Sequence, residues 1–247
     1  MLSGCQGILS GIYDEPAPGP AATGAGQLYV DASAWDKWHY IDFAALKKLS
    51  EPDPSFDTSS LWHTYSIPAP DAGSESPGPS SEQPGIYTYW YDVFGAGITN
   101  SDYRGFMPAA VQPEPASWTL AVHRNNVRTN GCAVCETSYT SIDDCPADAR
   151  WLDNLDYRED KWNQTDVWAV QDKMLLGIIG NQGIYVNRTL SRWLSMEIPP
   201  MPPAFMPDRH VFVLKMADGT FAALQLADYI GADGTKCCLT INYRFLP

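Results

Sequence analysis

Met196, Met201 and Met206 stand in one proline-rich stretch, Trp193-Leu-Ser-Met-Glu-Ile-Pro-Pro-Met-Pro-Pro-Ala-Phe-Met-Pro-Asp208. Methionine usually fills gaps in cores, because its thioether is flexible and polarisable. Here the backbone beneath it is stiff, since each proline fixes its own φ and restricts the residue before it. Met201 has two prolines on either side. A soft thioether on a rigid, extended segment has the chemistry of a ligand for a soft metal or for haem iron. The same residues could instead plug a loop that wraps a sheet, and the local sequence by itself favours that packing role.

Other groups with chemical potential read as structural. Cys132-Ala-Val-Cys135 has the C-x-x-C spacing, but redox or zinc use needs a helix N-terminus or a tight knuckle. The surrounding Val127 to Tyr139 reads as extended chain, where residues i and i+3 face opposite sides. Pairing among Cys132, Cys135 and Cys145 is the expectation for an exported protein, with connectivity open. His123, between Val122 and Arg124, is expected to be half-buried and hydrogen-bonded. His39, flanked by Trp38 and Tyr40, reads as a sheet residue, and His63 as a surface residue or stray metal contact. His210 opens a strand just after the Met/Pro segment and is the reserve ligand. Asp143-Asp144 and Glu159-Asp160 read as loop charge. With no nucleophile–base pairing, no H-E-x-x-H and no phosphate loop, the sequence predicts no enzyme.

The elements that must position these residues are strands. Hydrophobic content of 45% supports a sizeable core, and charged content of 18% argues against global disorder. The net charge of −13 comes with no basic stripe and argues against nucleic acid or anionic lipid as a partner. Strands are predicted at Gln27–Asp31, Trp35–Phe43, Ile86–Phe94 and Trp118–Arg124. Val211–Lys215 and Phe221–Leu226 flank an Asp218-Gly219 turn and read as a hairpin. At the end of the chain Cys237, Leu239, Ile241, Tyr243 and Phe245 alternate with Cys238, Thr240, Asn242 and Arg244. Ile67–Gly85 is rich in Pro, Ser and Gly and reads as a surface loop. Many strands with little helix predict an all-β, mainly antiparallel fold.

Leu2-Ser3-Gly4-Cys5 has the form of a bacterial lipobox, in which the cysteine is lipidated, although the basic and apolar regions of a signal peptide are missing before it. Residues 1–26 then read as a lipobox remnant and a Gly/Pro/Ala tether, and residues 27–247 as one β domain whose loop spans about 66–85.

Several segments together resemble the HmuY family of haem-binding lipoproteins of Bacteroidetes. They are Trp118-Thr-Leu-Ala-Val-His-Arg-Asn-Asn-Val-Arg-Thr-Asn130, Glu136-Thr-Ser-Tyr139, and Trp193-Leu194 with Met201-Pro-Pro203. His210 to Gly219 running on to Asp228-Tyr229, and the closing Leu239-Thr-Ile-Asn-Tyr243, complete the set. The resemblance covers roughly Gln27 to Pro247 and rests on order and spacing rather than on one motif. It implies a half-open hand of β-sheets that grips haem between loops, without enzymatic activity. It further implies an outer-membrane or cell-surface protein, anchored through Cys5 or shed. Haem, drawn among other sources from host haemoproteins, would pass to a TonB-dependent outer-membrane receptor.

One departure matters. The best-known family member uses two histidines as axial ligands, and this chain has none at the matching places. The second ligand position aligns with Ile198, and the first region corresponds loosely to Trp168–Leu176. Other members resemble this chain more and use two methionines. Carried across, the pair is Met174 and Met201, with Met196 as the alternative to Met201, and such a site would prefer ferrous haem. Tyr185, Trp193 and Phe205 could stack on porphyrin, and Lys173, Arg188, Arg192 and Arg209 could meet its propionates. All of these also read as packing or solvated charge. The alternative function is a surface glycan- or protein-binding β module of the same fold that has lost haem.

Overall fold

From Leu239 to Tyr243 the side chains alternate apolar and polar. A period of two therefore buries Leu239, Ile241 and Tyr243 while Thr240 and Asn242 stay half-exposed. The computed structural model describes residues 25–49, 61–71, 76, 78, 81–95, 103–198 and 202–247. Among them β17 (Lys236–Leu246) pairs on one side with β1 (Ala25–Asp31) and on the other with β16 (Phe221–Ile230). Adding β15 (Phe212–Lys215), β8 (Ala133–Glu136) and β9 (Arg158–Glu159) gives a six-stranded sheet ordered β1-β17-β16-β15-β8-β9.

A four-stranded sheet runs β3 (Trp62–Ser66), β2 (Lys37–Ile41), β6 (Leu120–His123), β7 (Asn126–Thr129). A five-stranded sheet runs β10 (Lys161–Asn163), β12 (Ile178–Val186), β4 (Gly85–Trp90), β5 (Tyr103–Pro108), with β11 (Trp168–Val170) also on β12. The hairpin β13 (Leu194–Glu197) and β14 (Ala204–Pro207) stands apart from all three. Every one of these pairings is antiparallel. The fold is all-β, as the sequence predicts.

Strand alternation also sets the layering. In the four-stranded sheet Ile41, Leu120, Val122 and Val127 join Leu28, Phe212, Leu224, Leu239 and Ile241 in the main core, against the six-stranded sheet. The other face sends Trp38, Tyr40 and Ala121 against Ile86, Ile184 and Val186 of the five-stranded sheet. That sheet in turn presents Tyr87, Tyr89 and Ile179 away from this core, into a separate aromatic cluster with Tyr91, Phe106 and Trp168. A last cluster covers the far face of the six-stranded sheet, where Val211, Val213 and Ala223 meet Ile142, Cys145 and Leu152.

Four expectations need correction. The Trp35–Phe43 strand stops at Ile41, and Phe43 opens helix α1 (Phe43–Leu49), because Asp42 accepts from the Ala45 amide at 2.9 Å and caps it. The Ile86–Phe94 strand stops at Trp90, because the Tyr91 amide donates to Gly177 O at 2.7 Å instead of continuing a ladder. His123 is fully buried rather than half-buried. The five described cysteines are free thiols, not disulfides. Cys132 lies in the main core, whereas Cys135, opposite Val213, and Cys145 lie on the far face of the six-stranded sheet, so the sheet separates Cys132 from the other two. The hairpin β15–β16 forms as predicted, with Gly219 at φ +83 in its turn and the Thr220 amide donating to Asp218. The loop before β4 touches the sheet edge through isolated bridges, Pro70 to Ala109 and Ser76 to Phe106.

Candidate functional site

Trp168 is the hub of the aromatic cluster. It stacks on Trp35 at 6.1 Å between centroids and 17° between planes, and lies 5.6 Å from Tyr91. Its position follows from a tight polar loop before it. Asn163 Oδ1 accepts from the amides of Thr165 and Asp166 at 2.9 and 2.8 Å, and Asn126 donates to Asp166 O at 3.0 Å. Met174 and Met196 both pack against this cluster, as do Ile198 and Trp162.

The two methionines arrive there on different elements. Met174 opens a single 3-10 turn, Met174–Leu176, that ends at Gly177 with φ +74. Gly177 is required twice over. L side chains disfavour that φ, and a Cβ there would stand 2.3 Å from Tyr91 O. The turn therefore lies flush against Tyr91, while Leu175 and Leu176 point to solvent, each 69% exposed. Met196 sits in β13, opposite Phe205 of β14.

Trp168 and Met196 also line a cavity of about 1070 Å³. This is slightly above the usual span of ligand pockets, roughly 300–1,000 Å³. Helix α2 (Arg188–Ser191) supplies its basic wall. Asn187 caps the helix by accepting from the Leu190 amide at 2.9 Å and donates to Asp160, which also takes the Thr129 amide at 2.7 Å. Burial raises the Asp160 pKa above the usual carboxylate range, against the lowering by these hydrogen bonds. Of the cations lining the cavity, Arg158 pairs with Asp156, and Arg192 pairs with Glu136 at 2.6 Å. The side chains of Arg188 and Lys161 form no ion pair or hydrogen bond among the described residues.

The architecture now has relatives. The model of the HmuY protein family matches residues 34–243. The chain belongs to the HmuY family. A candidate HmuY-like haem-binding protein of Bacteroides vulgatus is 26% identical, with a TM-score of 0.57, over 90% of this chain and 92% of its own. A candidate lipoprotein of Bacteroides fragilis is 24% identical, with a TM-score of 0.59, over 90% and 89%. The apo HmuY analogue of Tannerella forsythia is 19% identical, with a TM-score of 0.59, over 90% and 96%. No curated protein sequence matches this one.

Within this HmuY fold the expected site residues fall in several places. Met174 and Met196 both pack against the aromatic cluster, although of the two only Met196 lines the large cavity, whereas Met201, like Cys5, lies outside the described residues. Ile198, at the aligned position of the second histidine, packs on the same wall. Trp193 is fully buried in the main core, and Phe205 packs beside it against Tyr229, so both are packing residues. Tyr185 is exposed and lines a different cavity of about 240 Å³, where its hydroxyl meets Glu82. Arg188 and Arg192 line the large cavity. Arg209 instead donates to the carbonyls of Leu226 and Ala227. His39 pairs with Thr64 across the sheet, and His63 stacks on Tyr65. Sequence reasoning missed Trp168, Trp35 and Tyr91 as a wall. The aromatic density of Ile86–Phe94 was a signal for one part of it only.

Proposed function

We propose that this protein binds haem against the Trp168 wall, with Met174 and Met201 as axial ligands and Met196 as the alternative to Met201. The observation that carries this reading is the convergence of Met174 and Met196, from a 3-10 turn and a separate hairpin, on one aromatic cluster. The donor set fits the group. Neutral thioethers are recognised haem ligands, and an aromatic and aliphatic wall suits the porphyrin face. Leu175 and Leu176, exposed beside Met174, offer apolar surface that a flat ligand would cover. Arg188 and Lys161, without partners at the cavity, suit the two propionates. Haem bound here would supply an iron centre that the protein carries rather than uses for catalysis. Membership of the HmuY family supports capture of haem at the cell surface, lipid anchoring through Cys5, and transfer to a TonB-dependent outer-membrane receptor.

The test is a haem titration under dithionite, followed by absorbance, on the parent and on Met174→Ala, Met196→Ala and Met201→Ala. Loss of Met174 and of one of the other two should weaken binding and shift the Soret and α/β bands, with circular dichroism unchanged. A Met174→Ala, Met201→Ala, Met196→Ala triple variant with the parent spectrum would refute methionine ligation.

A further inference from the structure

At the foot of the β13–β14 hairpin three side chains converge that the haem reading does not use. They are Glu136 at the end of β8, Asp208 just after β14, and His210 just before β15. One donor atom from each lies within 4.8 Å of the others, the one such convergence among the described residues. His210 Nδ1 is 2.7 Å from Asp208 Oδ1 and 3.9 Å from Glu136 Oε1. We propose that these three residues bind a first-row divalent cation of the zinc type.

The geometry is close to what such an ion needs. Zinc lies about 2.0–2.2 Å from imidazole nitrogen and carboxylate oxygen, so two donors sharing it stand no more than roughly 4.3 Å apart. Small side-chain rotations that part the 2.7 Å pair and bring Glu136 closer to His210 complete the set. A bound ion would displace the hydrogen bond between His210 Nδ1 and Asp208 Oδ1 but leave intact the other contacts that orient the ligands. The Asp208 amide donates to Trp193 O at 2.8 Å, and Asp208 Oδ1 accepts from the His210 amide at 2.8 Å. Glu136 divides its oxygens, with Oε2 held by Arg192 at 2.6 Å and Oε1 turned toward His210. Metal-binding carboxylates held in this way by an outer partner are the usual arrangement. Two carboxylates and a neutral imidazole balance a divalent charge. The side chains are between 26% and 42% exposed, which leaves a path for entry and room for water as further ligands. The imidazole selects the class, because nitrogen favours zinc, copper, nickel and iron over magnesium and calcium.

The position gives the site a consequence. Pro207, next to Asp208, pairs with Leu194 at the base of the hairpin that carries Met196. Glu136 and Arg192 line the large cavity. A cation here ties three strand ends together and stiffens the base of that hairpin.

The experiment is isothermal titration of the tag-free full chain with zinc chloride in the absence of haem. Parallel titrations use His210→Ala, Asp208→Asn and the parent with magnesium chloride. Asparagine keeps the acceptor for the His210 amide, and circular dichroism verifies each fold. One zinc ion per chain is expected, with affinity at least tenfold lower in each variant and at least tenfold lower for magnesium. No saturable zinc binding below about millimolar concentration, equal affinity in His210→Ala, or equal affinity for magnesium would each overturn the proposal. None of these outcomes depends on whether haem binds.

Discussion

His123 makes the stability of this protein fall in mild acid, by an amount that can be worked out. The ring is fully buried, 5.3 Å from the Trp38 ring, and Nε2 is 2.9 Å from Trp35 O. A carbonyl only accepts, so the proton sits on Nε2, and Nδ1 is left as a buried lone pair with no partner. Charging the ring would place an N–H on Nδ1 with nothing to receive it. Burial first, and then the neighbouring Arg124 guanidinium, push the pKa down from 6.5 to about 4. Between these values only the unfolded chain takes the proton. The stability is therefore complete above about pH 6.5, falls as pH drops toward about 4, and levels off below. At 1.36 kcal/mol for each pH unit of difference, the full loss is about 3 kcal/mol and the loss by pH 5 about 2 kcal/mol. For a chain of this size that lowers the melting temperature by about 4–8 °C. Burial lowers the pKa of His39 too, which adds a smaller loss of the same sign. The assay is urea unfolding of the parent and His123→Gln at pH 7 and pH 5. Comparing the two pH differences removes any baseline cost of the substitution. An equal drop in both proteins would refute the assignment, as would NMR titration of the His123 ring above pH 5.5 in the parent.

Gly177→Ala should cost more than 2 kcal/mol, since the left-handed φ alone costs about 1–2 kcal/mol and the added Cβ meets Tyr91 O. Gly219→Ala shares the positive φ but has nothing within 4 Å. It should lose only the φ term in the same denaturation series, and equal losses would show that the Tyr91 contact is unimportant. Ferrous haem should bind more tightly than ferric haem, because a soft, neutral thioether favours Fe(II). Titrations under dithionite and under air would expose the error if ferric binding proved equal or stronger. The five described thiols should react with a disulfide reagent only after denaturation, because burial raises their pKa, to about 11 for Cys132 and Cys237. Rapid labelling of the native protein at these positions, read by mass spectrometry, would contradict their burial.

What could be read from the sequence was what a single strand or turn decides. The alternation from Leu239 to Tyr243 and the Asp218-Gly219 turn each carry their signal within a few residues, and both elements form where that signal lies. Asp42 carried an equally local signal, a helix cap, but the aromatic run before it outweighed it. Features set by distant contacts were out of reach. The end of β4 depends on Gly177 O, and the state of Cys132, Cys135 and Cys145 depends on how sheets stack. The wall around Trp168 draws on Trp35, Tyr91, Met174 and Met196, which occupy four separated segments, so no window of sequence displays it. Of the proposed ligands, Met196 and Met201 stand out through their proline-rich setting, whereas Met174 enters only through resemblance to a family. Asp208 and His210 stand two residues apart in the sequence, but Glu136 joins them only once β8 pairs with β15.

This division between local and distant causes bears on the proposed ligands. The layers are held by strand faces and by buried polar ties such as Trp38 to Gln182 at 2.7 Å and Gln182 to Gln112 at 2.9 Å. Changing any of these groups would leave a buried donor or acceptor unpaired, at about 1–3 kcal/mol each. Met174 and Met196 stand outside that framework. One is on a 3-10 turn and the other on a two-stranded hairpin that pairs with none of the three larger sheets, and both are only partly buried. Replacing a partly buried side chain on such an element disturbs no ladder and no polar tie. Histidine and methionine can therefore exchange there at small cost to stability. On the proposed reading, ligand chemistry can thus change without disturbing the strand ladders and polar ties that hold this fold.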